Sequence, residues 1–283
     1  MKFCLDTAEL YIPDSLPESA ALARTTHLAV SAHPDDLEIM AYDGILACFQ
    51  QPDKWFAGVI VTNGSGSPRT DVYASYTDAQ MVEVRRKEQK KAAMVGEYGA
   101  QFLLDYPSSA IKAASDKRPV EDMKSILLTT RPAVVYTHNL ADKHDTHVGV
   151  ALKLIEAIRA LPLDARPKKL YGCEVWRDLD WMTDEDKVAF NVSGHENLQA
   201  ALLGVFDSQI AGGKRYDLAT LGRRRAHATY HASHGVDETT GTIFAMDMSA
   251  LVADSAKSPL ALVEEHIGRF RNEVTARVSR MLG

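Results

Sequence analysis

Apolar positions along this chain follow two alternating rhythms. Short continuous runs give way to stretches in which apolar residues recur every three or four positions, and the alternation repeats. The runs predict strands at 26–32, 55–62, 101–104, 132–137 and 170–177, with a late one at 242–246. The helical spacing predicts helices over 36–50, 77–98, 120–130 and 148–158, and then over 195–206, 214–230 and 259–282. In the last of these, Leu260, Val263, Ile267, Phe270, Val274 and Val278 form a stripe. Strand–helix alternation up to residue 160 is the signature of an α/β, Rossmann-like, mainly parallel sheet with helices on both faces. Such sheets take their ligands at the carboxyl ends of the strands. Residues 1–24 contain two prolines and no clear period, and read as a packed arm. No repeat, low-complexity tract or linker divides the rest, so 1–283 reads as one domain with an N-terminal arm and a helical C-terminal extension.

Composition narrows the function classes. A net charge of −6 with mixed signs argues against a general nucleic-acid binder, whose surface would be basic. Cys4, Cys48 and Cys173 are odd in number and far apart, which suits neither a disulfide framework nor a CxxC metal site. Asp6 and Glu9 interrupt any leader-like start, and no apolar run approaches a membrane span. A cytoplasmic protein without membrane or nucleic-acid partners is the expectation.

The densest chemistry is at Val30-Ser31-Ala32-His33-Pro34-Asp35-Asp36-Leu37-Glu38, where a strand hands over to a helix. His33 and Asp36 have the donor types to share one cation, with Asp35 free to act as a base toward water. A helix N-cap formed by Asp35 or Asp36, with Glu38 complementing the dipole, uses the same residues. A second strand-to-helix crossing carries His138, Asn139, Asp142, His144, Asp145 and His147. His144 and His147 are three apart, so one helical turn sets them side by side, one toward a metal and the other toward a substrate. An exposed histidine-rich turn is the plainer alternative.

His33-Pro34-Asp35-Asp36-x-Glu38, preceded by Ala32 and followed by Gly44 and a distant histidine pair, resembles the LmbE-like, PIG-L-type zinc-dependent N-deacetylases. Val61-Thr62-Asn63-Gly64, Arg85-x-x-Glu88 with Ala92, Ala93 and Gly96, and Ser208-Gln209 extend the resemblance over about residues 25–210. The resemblance implies that His33, Asp36 and His147 bind the metal and that Asp35 is the general base. It further implies that His144 stabilises or protonates the reacting centre, preferably as imidazolium, and that Arg85 helps hold substrate. The family's second motif is usually His-Pro-Asp-His, whereas this chain has His144-Asp145-Thr146-His147. Thr146 thus stands where an orienting carboxylate is expected, and Asp142 or Asp145 is the candidate replacement.

Further residues fit around such a site. Asp105 follows the third strand at the same edge, and Glu174, Trp176 and Arg177 offer an aromatic face and charge suited to a sugar. Trp176 and Trp181 equally suit a core or interface. Arg85 and Glu88 also have the spacing of a helix ion pair. The loop Asn63-Gly64-Ser65-Gly66-Ser67-Pro68-Arg69 lacks the Lys-Ser/Thr pair of a phosphate loop and reads as a mobile rim. His227, His231 and His234 share a helical face, but with Arg223, Arg224 and Arg225 they read first as a basic helix and second as another metal site.

The expected activity is metal-dependent removal of an acetyl or other acyl group from an N-acylated sugar, with Zn2+ or another divalent ion as cofactor. A metal-independent amidohydrolase or deaminase, and a non-catalytic metal- and sugar-binding protein, are the alternatives. The family resemblance and the surplus apolar surface of the C-terminal stripe imply a homo-oligomer, a trimer or hexamer.

Overall fold

The computed structural model describes residues 1–283 and places eight strands in one sheet. The arm contributes β1 (Glu9–Tyr11) and α1 (Glu18–Ala23). The central unit runs β2 (His27–Ser31), α2 (Asp36–Met40), α3 (Tyr42–Cys48), β3 (Phe56–Thr62), α4 (Asp78–Val95), β4 (Ala100–Tyr106) and α5 (Ser108–Lys112). It continues with α6 (Arg118–Thr130), β5 (Val134–His138), α7 (Asp145–Arg159) and β6 (Lys169–Cys173). The remainder is β7 (Lys187–Asn191), α8 (Glu196–Gly204), α9 (Asp207–Ile210), α10 (Tyr216–Tyr230), β8 (Thr242–Asp247), α11 (Ala250–Ala253) and α12 (Pro259–Leu282).

The strand order is β1-β4-β3-β2-β5-β6-β8-β7. Side chains alternate across the sheet, as the period of two requires. Leu28, Val30, Ala57, Val59 and Val61 enter one core, while Ala29, Phe56 and Ile60 enter the other. Both faces are therefore dry, which explains why β2 and β3 read as unbroken apolar runs.

Three features differ from the expectation. The sheet is mixed, not mainly parallel. β2 through β6 pair in parallel, but β1 joins β4 antiparallel, and β8 runs antiparallel to both β6 and β7. The five central strands are linked by crossover helices that enforce parallel pairing. The arm and the C-terminal extension approach the two edges without that constraint. The expected helix 36–50 breaks at Ala41, because Arg224 Nη2 takes the Glu38 and Ile39 carbonyls (2.7 and 3.1 Å) that would continue it. β6 stops at Cys173, where Glu174 turns inward to accept the Leu179 amide at 2.6 Å, so Trp176 leaves the sheet and overhangs its edge. No helix is long and apolar enough to cross a membrane.

Candidate metal centre and active-site cleft

Three chain segments meet where β2 and β5 end. The turn after β2 is shaped by its own carboxylate, since Asp36 Oδ2 accepts the His33 amide at 2.7 Å. Asp35 sits between them in the left-handed region, at φ 90° and ψ −30°. That conformation is costly for a non-glycine residue, though Asp and Asn tolerate it best. Two neighbours enforce it. Gln89 Oε1 accepts the Asp35 amide at 3.2 Å, and Arg85 Nη2 donates to the Pro34 carbonyl at 2.6 Å. The other Arg85 terminal nitrogen donates to Gly64 O at 3.0 Å. Gly64 has φ 67°, and a Cβ there would meet Arg85 Nη1 at 2.6 Å, so only glycine fits.

The donor atoms of His33, Asp36 and His147 converge. His33 Nδ1 lies 3.2 Å from both Asp36 Oδ2 and His147 Nε2, and the last two are 3.4 Å apart. Ligands of a tetrahedral ion with bonds near 2.0–2.1 Å are about 3.3 Å apart. Two imidazole nitrogens and a carboxylate oxygen in so tight a triangle lack protons enough to bond one another pairwise, and a divalent cation suits all three. His144 also brings a ring nitrogen near His33 and His147, and His138 does so near Asp36 and His147. His138 Nε2, however, already accepts the Ala32 amide at 2.9 Å and lies 3.6 Å from Asp36. Its ring stacks on His147 with centroids 3.9 Å apart. His138 was not singled out from sequence. Its place as the last residue of a buried strand was the available signal.

Asp142 serves His147 and not His144. Its Oδ2 lies 3.4 Å from His147 Nδ1, while Oδ1 accepts the His144 backbone amide at 2.9 Å. Asp145 is exposed and lines a separate surface groove with Lys112 and Lys117, not the cleft. Thr146 is buried with an unpaired hydroxyl. The His144 ring thus has no carboxylate partner. Burial, with His147 and His33 beside it, lowers its pKa to about 4, which favours the neutral imidazole over the imidazolium.

Charge is separated between the adjacent carboxyls. Burial opposes ionisation of Asp36, but His147, His33 and His138 outweigh it and hold the carboxyl far below its usual range. Burial pushes Asp35 well above that range. Arg85, 3.5 Å away, opposes the rise, and Asp36 and Glu38 add to it. The two adjacent carboxyls thus differ in proton affinity, Asp35 binding a proton more readily than Asp36.

Above the triangle opens a cleft of about 260 Å³, lined by His33, Asp35, Asp36, Arg85, His144 and Thr146 on its floor. The Gly64–Pro68 loop, Lys112, Trp176, Gln209 and Tyr216 form its walls. Trp176 lies along His144 and carries Lys143 and Lys214 at 5.8 and 5.2 Å from its ring. Tyr216 and Lys112 went unseen in the sequence, because nothing local marks a residue that reaches the cleft from a distant helix.

Several sequence candidates stand elsewhere. Asp105 pairs with Arg86 at 3.0 Å, outside the cleft. Arg177 is exposed and does not line it. Arg85 and Glu88 form no helix pair, since Glu88 instead accepts the Ser208 amide and hydroxyl at 2.7 and 2.6 Å. His227 stacks on Phe244 near Glu174, while His231 and His234 are exposed, so these three form no metal group.

No curated protein matches the chain by sequence. Solved structures share its fold. The 4-carboxy-2-hydroxymuconate hydratase GalB from Pseudomonas putida aligns with TM-score 0.62 at 16% identity, covering 79% of this chain and 95% of its own. The N,N'-diacetylchitobiose deacetylase from Pyrococcus horikoshii aligns with TM-score 0.62 at 15% identity, covering 82% and 86%. The pseudoaglycone deacetylase Dbv21 aligns with TM-score 0.55 at 17% identity, covering 79% and 97%. The family model described as PIG-L, GlcNAc-PI de-N-acetylase, matches residues 28–158, which hold every member of the donor cluster, and over those residues the chain is similar to a PIG-L-type, LmbE-like domain.

Proposed function

We propose that this protein is a metal-dependent hydrolase that removes an acyl group, most simply acetyl, from the nitrogen of an N-acylated sugar or sugar conjugate. The observation that carries the reading is the triangle of His33 Nδ1, Asp36 Oδ2 and His147 Nε2 with the proton-accepting Asp35 beside it. The family match and the deacetylases among its structural neighbours support the substrate class.

His33, Asp36 and His147 would hold the cation, and a mixed His/Asp/His set suits zinc. When bound, such an ion supplies Lewis acidity to the amide carbonyl and to water. Asp35 accepts the proton that water loses as its oxygen bonds to the acyl carbon. The same carboxyl returns that proton to nitrogen as the C–N bond breaks, leaving a free amine and a carboxylic acid. His144 donates an N–H to the carbonyl oxygen as negative charge grows there. Arg85 spends its terminal nitrogens on Pro34 and Gly64, so its part is to fix Asp35 and the loop and not to grip substrate. Trp176 offers a flat face to a sugar ring.

Metal-replete protein should release primary amine and acetate from at least one of a panel of N-acetylglucosaminyl conjugates, and chelation should stop it. No amine from any conjugate would overturn the reading. One of the structures that share the fold is a hydratase. Loss of a conjugated double bond from an unsaturated acid, without amine release, would assign hydration instead.

A further inference from the structure

The C-terminal helix α12 carries an apolar seam that the rest of the chain leaves mostly uncovered, with Phe270 edge-on to Trp181 and Val263 half-buried. Its docked face holds only Leu262 and His266 in the interior, with His266 3.3 Å from Asp186. About a quarter-turn around lie Leu260, Val263, Ile267, Phe270, Val274, Val278 and Met281. Leu260 is 66% exposed, Ile267 50%, Val278 53% and Met281 74%. From Arg271 onward every residue except the half-buried Glu273 is exposed. A projecting helix of a dozen residues is marginal in water unless its apolar side is covered.

The seam is matched to itself. Positions 260 and 281, 263 and 278, and 267 and 274 are each centred on one point, between Phe270 and Arg271. Two such helices laid antiparallel therefore place Leu260 opposite Met281, Val263 opposite Val278 and Ile267 opposite Val274. Charge favours the same direction. The first half of the helix carries Glu264 and Glu265 against Arg269, which is itself paired with Asp186, and the second carries Arg271, Arg277 and Arg280 against Glu273. Antiparallel pairing sets the acidic half against the basic half, whereas parallel pairing sets like against like. We propose that α12 is a self-association surface whose occupant is the α12 of a second copy, antiparallel about Phe270 and Arg271.

Light scattering of the full chain should report an even multiple of 31.1 kDa. Ile267→Glu and Val274→Glu, both at exposed positions, should halve that mass or weaken self-association at least about tenfold, with circular dichroism unchanged. Direction is read by cross-linking in a Cys4→Ser background, since Cys48 and Cys173 are buried. Arg271→Cys should link to its own copy with a short bismaleimide. Met281→Cys should not, because the two positions lie about 30 Å apart in the antiparallel pair. A monomer at all concentrations, a mass untouched by both glutamates, or ready linking of Met281→Cys overturns the proposal. So does a monomer that sediments with anionic vesicles through this helix, which would assign the seam to a lipid surface.

Discussion

Asp35 is asked to do two separable things, and substitutions there can tell them apart. It holds a left-handed backbone at φ 90° and presents the proton-accepting carboxyl. Asp35→Asn keeps the shape and the tolerance for this conformation, the Gln89 bond to its amide, and both Arg85 bonds to carbonyls. Only proton acceptance and the 3.5 Å contact with Arg85 are lost. Turnover should fall by about two to four orders of magnitude, or about 3–5 kcal/mol of barrier. Metal content should not change, because no ligand of the triangle moves. Asp35→Ala loses the same chemistry but forces a Cβ-bearing residue with no local polar compensation into the left-handed region, at about 1–2 kcal/mol. For a chain of this length that lowers the melting temperature by about 2–3 °C relative to Asn. Asp35→Gly should recover the loss, less its own entropy cost. The assays are amine release by metal-saturated protein, elemental analysis and calorimetry on all three variants. Near-normal turnover in Asp35→Asn would reduce Asp35 to a turn former, and metal loss in that variant would make it a ligand. Equal melting temperatures for Ala, Asn and Gly would remove the backbone from the account.

Removing a ligand should be harsher than removing its support. His33→Ala, Asp36→Ala and His147→Ala should each abolish stoichiometric metal binding by elemental analysis, and full occupancy in any one would strike that residue from the set. Asp142→Asn should weaken metal affinity by about 10–100-fold in a competition titration while leaving Asp36 and His33 in place, and unchanged affinity would show that His147 needs no orienting partner. Burial raises the carboxyl of Glu174 from 4.5 to about 7, so the fold retains a proton that the unfolded chain has released. Stability should therefore fall as pH rises from about 5 to 8, by about 3 kcal/mol from this group. Glu174→Gln should remove that part of the slope in urea titrations, and identical slopes would place the charge elsewhere.

The local half of the site is written in contiguous residues. The three-residue spacings of His33 with Asp36 and of His144 with His147 place their side chains within one turn, whatever surrounds them. Continuous apolar runs mark β2, β3 and β5, because strands dry on both faces need no polar alternation. Only the tertiary structure decides which crossings share an edge, and so which histidine faces Asp36. It also decides what cannot be read from spacing. Asp105, at φ 63°, pairs with Arg86 instead of entering the cleft. Of the two carboxylates beside His144, Asp142 turns to His147 and Asp145 to solvent. His138 is held by the Ala32 amide, just past the end of β2. Arg224, from a helix far along the chain, ends α2 behind Asp36. The short edge strands β1 and β7 are half-buried at most, and so lack the apolar run that betrays an interior strand, while the apolar run of β8 records its burial and not its antiparallel direction. Periodicity records how much of a segment is buried. It does not record which partner buries it, since that choice rests on contacts between residues far apart in the chain.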